Sequence, residues 1–153
     1  MPAFGKALGA DALGLFASDK PDEGSIDPAG LTPDAAALAA RAGARYRGQF
    51  HADMTAPALA GFSAAWGLFR DVMPNASGLT PHDVASAALR VRVPSGGLPN
   101  GSGLLFAGPG SPDAGANLRA VSVIWEWTRV DWRAVVWPPR FATEPIRAIP
   151  IAR

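Results

Sequence analysis

The chain has 153 residues, 48% of them apolar and 18% charged, and its 14 Lys and Arg against 13 Asp and Glu leave a formal charge of +1. This length and apolar content support one domain with a sizeable core and exclude a disordered chain, while the balanced charge excludes a basic field that would attract nucleic-acid phosphates. Cysteine is absent, which excludes disulfides, thiolate metal sites and a thiol nucleophile.

Low charge and a mean hydropathy of +0.10 predict apolar faces that the chain's own polar residues do not cover. The first residues, MPAFGKALGADALGLFA, offer only Lys6 before Asp11 interrupts the apolar run. They lack the basic start and unbroken hydrophobic centre of a secretory leader. No stretch reaches the ~20 uninterrupted apolar residues that cross a bilayer. The chain as written is therefore expected in the cytoplasm.

Ala12 to Ala17 (ALGLFA) is a short apolar run stopped by Ser18-Asp19-Lys20-Pro21, and it predicts a buried strand followed by a loop. At Thr32-Pro33-Asp34 a helix start is expected: Thr32 caps the exposed amides, Pro33 fits the first turn and Asp34 suits the positive end of the dipole. This helix should reach about Phe50, with a modest apolar face at Leu38, Ala42 and Tyr46 and much of its propensity from alanine. A second helix is expected from Thr55, where Leu59, Phe62, Trp66, Phe69 and Met73 recur three or four residues apart. That stripe predicts an interior helix with its aromatics in the core. Pro74 to Gly78 breaks the pattern, and Thr80-Pro81-His82-Asp83 repeats the start signal for a short helix through Leu89.

From Pro94 the period changes. Leu104-Leu105-Phe106 reads as a short strand after Asn100-Gly101-Ser102-Gly103, and Arg119 to Thr128 as a longer one. Its alternation puts Val121, Val123, Trp125 and Trp127 on one face, with Ala120, Ser122, Ile124 and Glu126 on the other. A turn at Arg129 to Arg133 returns the chain as Ala134 to Trp137, and Pro138-Pro139 stops it. The tail from Phe141 to Arg153 is expected to be irregular.

The chemistry is sparse. The glycines near 101 lead into a strand without a following Lys, so they predict a turn rather than a phosphate loop, which needs a helix N-terminus. Trp125, Trp127, Trp132 and Trp137 sit among Val and Ile on a hairpin and favour packing over a stacking platform. His51 and His82 lack the spacing of a metal site, and no Gly-x-Ser-x-Gly elbow occurs. Asp19, Asp22, Glu23 and Asp27 make an acidic loop without the closing Glu of a calcium site. No catalytic residue, metal or cofactor is expected.

Taken in order, the apolar run, ARYRGQF, GFSAAWGLF, LTPHDVASAALR, the glycine turn with LLFA, the Gly- and Asp-rich loop around Asp113 to Gly115 and the strand closing in Trp125-Glu126-Trp127 resemble a known arrangement. They look like the C-terminal portion of type I periplasmic substrate-binding proteins of ABC transporters, in the leucine-binding or branched-chain-amino-acid branch. The resemblance spans most of residues 8 to 139.

It implies an α/β fold: a partial type I periplasmic-binding-protein fold with three main helices, a short buried strand and a C-terminal β-hairpin. By that analogy residues 12–50 and the hairpin region 98–139 belong to the second of two lobes, residues 55–92 to the first, and 140–153 form an irregular tail. The family's leader and most of its first lobe would precede Met1, so a fragment or shortened form is expected. The family is periplasmic or lipid-anchored outside the cell. Its function would be to bind an amino acid or similar solute and deliver it to an ABC permease.

Ligands in open α/β sheets gather at carboxyl ends of strands, which makes Ser18, Asp19, Lys20 and Glu23 the expected ligand-binding residues, with Thr55 at the start of the aromatic helix. The alternative is a small homo-oligomeric interaction module with no ligand of its own that buries the Phe62, Trp66 and Phe69 stripe and the tryptophan hairpin in a homodimer or a partner. Nucleic acid is not expected as a partner.

Overall fold

A computed structural model describes residues 2–147. Its helices are α1 (Pro2–Leu8), α2 (Pro33–Phe50), α3 (Ala56–Gly67) and α4 (Pro81–Arg90). Its strands are β1 (Phe16–Asp19), β2 (Val123–Arg129) and β3 (Trp132–Trp137), antiparallel throughout in the order β1-β2-β3. The fold is thus mixed α/β, with helices preceding a β-hairpin that recruits one early strand. No described helix is long and apolar enough to cross a membrane.

Helix starts follow local chemistry. The Thr32 hydroxyl accepts from Ala35 N to cap α2, and the Thr80 hydroxyl accepts from Asp83 N at 3.2 Å to cap α4. Thr80 also donates to Asp83 Oδ2 at 2.6 Å and Ser77 donates to Oδ1 at 2.9 Å. The Thr80 bond first, and the Ser77 bond second, hold the Asp83 carboxyl below the usual carboxylate range. Helix α3 is capped differently: Thr55 makes no side-chain bond, and Asp22 Oδ1 takes the Ala56 amide at 2.8 Å.

The apolar run at 12–17 is not a buried strand. Ala12 closes a 3₁₀ turn, and β1 begins only at Phe16, as an exposed edge that pairs solely with β2. Its pairing runs from Phe16 opposite Glu126 to Asp19 opposite Val123. An edge strand has one free side and one partner, so Leu15 and Phe16 stay open to solvent despite their apolarity.

The aromatic stripe of α3 also faces the other way from the expectation. Ala56, Leu59, Ser63 and Gly67 are buried, whereas Trp66 is 38% and Phe69 69% exposed. Small side chains permit the closer approach: a Cβ on Gly67 would stand 3.0 Å from Leu104 Cδ1. A π turn over Leu68–Val72 then inserts one extra residue per turn, which brings Val72 rather than Phe69 or Met73 to the core.

The predicted strand at 104–106 is reduced to isolated bridges, Val93 with Leu104 and Phe106 with Asn117. Strand β2 starts at Val123, and its pairing with β3 shifts register between Ile124 and Trp125. Both of its faces are covered: Val123 and Trp125 join Ile26, Val135 and Phe141 in one core cluster, while Glu126 on the opposite face is fully buried. Phe141 and the residues to Arg147 follow the hairpin without strand or α-helix; the remainder of the expected irregular tail lies outside the described residues. A second cluster, Val72, Ala87, Val91, Leu98 and Leu104, lies among the helices and shares no residue with the first.

Two glycines of α2 test how the layers join. A methyl at Gly43 would overlap the Glu23 carboxylate, while a methyl at Gly48 meets nothing within 4 Å. Gly48→Ala should therefore stabilise the protein by about 0.5–1 kcal/mol through helix propensity. Gly43→Ala should lose that gain and lower the urea midpoint, because Glu23 must leave its partners. Equal stabilisation by both would show that Glu23 carries no weight there.

Candidate functional site

The largest described cleft, about 690 Å³, opens between α3, α4 and the 98–121 segment. One wall is the small-residue side of α3 with Leu68 and Val72, the opposite wall is α4 through Val84 and Ala88, and the floor holds Leu98, Leu104 and Phe106. The volume lies within the range of small-ligand sites, which are largely apolar with a few placed polar groups.

Polar groups reach the cleft from three elements: Lys20 after β1, Ser63 on α3, and Asn100, Ser102 and Asn117 on the 98–121 segment. Ser63 is 1%, Asn100 8% and Ser102 6% exposed. A relay of backbone amides fixes them. Asn100 N donates to Ser63 Oγ at 3.2 Å, Ser102 N to Asn100 Oδ1 at 3.1 Å, and Val121 N to Ser102 Oγ at 3.0 Å. Asn117 is largely engaged, its Oδ1 accepting from Leu105 and Arg119 amides and one Nδ2 hydrogen going to Gly103 O. Gly101 adopts φ +83°, and a Cβ on Gly103 would overlap the carbonyls of Val93 and Pro94. Only glycine lets this turn lie so close under the cleft.

Of the residues expected from sequence, only Lys20 lines the cleft. Ser18 and Asp19 lie in β1 rather than in the loop after it. Ser18 Oγ bonds Ser122 Oγ at 3.1 Å, and Asp19 Oδ1 accepts from Lys20 N at 2.7 Å. Glu23 takes the Met54 amide at 2.8 Å on Oε2 and pairs with Arg47 through Oε1. Thr55 is exposed at the head of α3. Glu23 thus bonds at the α2–α3 joint, where Thr55 follows its partner Met54, and neither lines the cleft with Lys20.

The polar residues that the sequence did not single out as ligand groups are Ser63, Asn100, Ser102 and Asn117. The Asn100-Gly101-Ser102-Gly103 run signalled a turn, and it is one. What it did not disclose is that the Ser102 hydroxyl accepts from an amide 19 residues away and that the turn's Asn100 amide donates to a hydroxyl 37 residues away.

Comparison with known proteins found no matching family model and no matching curated sequence.

The amide relay has a measurable cost of removal. Ser63→Ala leaves the buried Asn100 amide without its acceptor, and should destabilise the fold by about 1–3 kcal/mol in urea unfolding. An unchanged midpoint would mean that Asn100 finds another partner and that Ser63 does not set the cleft floor.

Proposed function

We propose that this chain is a solute-binding module: the C-terminal portion, or a shortened form, of a type I periplasmic substrate-binding protein that captures amino acids or related small solutes for an ABC permease and does not transform them. The cleft carries this reading. It combines apolar walls with a small set of fixed polar groups, the make-up of a site that recognises a small molecule.

The two hydrophobic clusters add support. One is built on the hairpin and the other on α4 and the segments around it, which accords with residues from two lobes contributed by one chain.

Isothermal titration of the whole chain against a panel of amino acids and small organic solutes should give saturable binding. The same ligand at about 100 times its Kd should stabilise the fold by about 2.7 kcal/mol. A panel with no saturable member would remove the solute-binding reading.

A second reading is favoured by one observation: Trp66 at the end of α3 and Phe69 in the π turn after it are 38% and 69% exposed. In that reading the chain is a self-associating module that buries this face. Sedimentation velocity over a hundredfold concentration range should then show a dimer that Phe69→Ser dissociates, and a monomer at all concentrations would dispose of it.

A further inference from the structure

We infer that the cleft selects small apolar monocarboxylates without an amino group over zwitterionic amino acids, an inference that rests on the solute-binding reading and narrows its ligand class. The warrant is the direction of the hydrogen bonds left unmade. A hydroxyl offers one donor and a primary amide two. Within the cleft, backbone amides already occupy an acceptor position on Ser63 Oγ, Asn100 Oδ1 and Ser102 Oγ. The hydroxyl hydrogens of Ser63 and Ser102 and the Nδ2 hydrogens of Asn100 have no acceptor among the described residues. Because Asn100 Oδ1 must face the Ser102 amide, its Nδ2 is fixed as the group that remains. Asn117 adds less: its Oδ1 accepts from two backbone amides and one Nδ2 hydrogen is donated to Gly103 O, which leaves one Nδ2 hydrogen.

The charges point the same way. Lys20 is the sole charged residue lining the cleft; no Asp or Glu lines it. Its ammonium has no ion-pair partner among the described residues, because the described pairs all use arginine. A carboxylate accepts only, at about four lone-pair sites, and so matches a set of donors with one cation at its edge. An ammonium group on the same ligand would lose water without a counter-charge, with only the second lone pairs of Ser63 Oγ, Ser102 Oγ and Asn100 Oδ1 left to accept from it. Val72, Val84, Leu98, Leu104 and Phe106 then suit the ligand's hydrocarbon part.

The test is a set of isosteric probes titrated into the full chain and followed by amide NMR shifts: 4-methylpentanoate and 4-phenylbutanoate, their primary amides, and L-leucine and L-phenylalanine. Both acids should bind, moving the Asn100 and Ser102 amide signals, and each should bind at least about tenfold more tightly than its amide or the amino acid. Lys20→Met, which removes an exposed charge and leaves the melting midpoint unchanged, should weaken the acids about threefold and the amides not at all.

An amino acid that binds as tightly as the matching acid would overturn the carboxylate preference and leave the solute-binding reading standing. Failure of every probe would overturn both. Equal effects of Lys20→Met on acids and amides would overturn the charge assignment.

Discussion

The fold depends on a polar clasp at two adjacent carboxylates. Asp22 Oδ1 holds the Ala56 amide at the head of α3 while Oδ2 pairs with Arg133 of β3, and the Arg133 guanidinium lies 4.0 Å above the Trp125 ring. Glu23 holds the Met54 amide and the Arg47 side chain at the end of α2. Two consecutive residues thus attach both long helices to the sheet. Hydrogen bonds to charged groups contribute about 1.5–3 kcal/mol each, and the shielding of Arg133 and Asp22, with side chains 15% and 31% exposed, limits screening. Removing either partner would strand the other charge in a half-buried place.

Because the two hydrophobic clusters share no side chain, such directed contacts must set how they sit together. The segment after Glu23 continues the job through backbone groups: Asp27 N donates to Phe141 O, Thr32 N to Gly96 O and Arg140 Nε to Gly30 O. A Cβ on Gly30 or Gly96 would overlap the Arg140 carbonyl or the Gly30 carbonyl respectively. Close backbone approach therefore substitutes for apolar packing where the layers meet. Such contacts hold a relative orientation with little buried apolar area, and Lys20, two residues before Asp22, lines a cleft built mainly by α3, α4 and the 98–121 segment.

Elements whose determinants are local were legible in the sequence. The Thr-Pro starts of α2 and α4 carry their own caps, and the alternation from Val123 with the return at Ala134 defines the hairpin. What sequence periodicity could not resolve was phase and partner. In α3 the bulky residues repeat as regularly as a core stripe, but Gly67 admits Leu104 and Ser63 takes the Asn100 amide on the inner face, and the π turn then resets the phase at Val72. In the run at 12–17, apolarity marked a strand nearby but not its edge position, which β2 decides from more than a hundred residues away. The candidate site was visible only at Lys20. Asn100 and Ser102 are held by the distant Ser63 hydroxyl and Val121 amide respectively, and no local pattern encodes that.

The excess of apolar over charged residues finds a structural expression in where the uncovered side chains lie. Leu79 is 82% and Leu68 38% exposed, and both line the cleft. They are therefore surface that an occupant of the cleft would remove from water, at roughly 25 cal/mol for each Å² of apolar area. Phe16 and Trp137, about half exposed, flank the outer face of the sheet at its pairing with Glu126 and Ile124. That face differs in kind, because its centre is the fully buried Glu126. One Glu126 oxygen accepts the Arg147 amide at 3.0 Å, and the other has no partner among the described residues. A buried carboxylate oxygen without a donor is costly, so this face has an unmet polar demand at its centre as well as apolar flanks. The cleft is the reverse, with apolar walls and surplus donors. The two surfaces therefore call for different chemistry, and only the cleft combines enclosure with oriented groups suited to a small ligand.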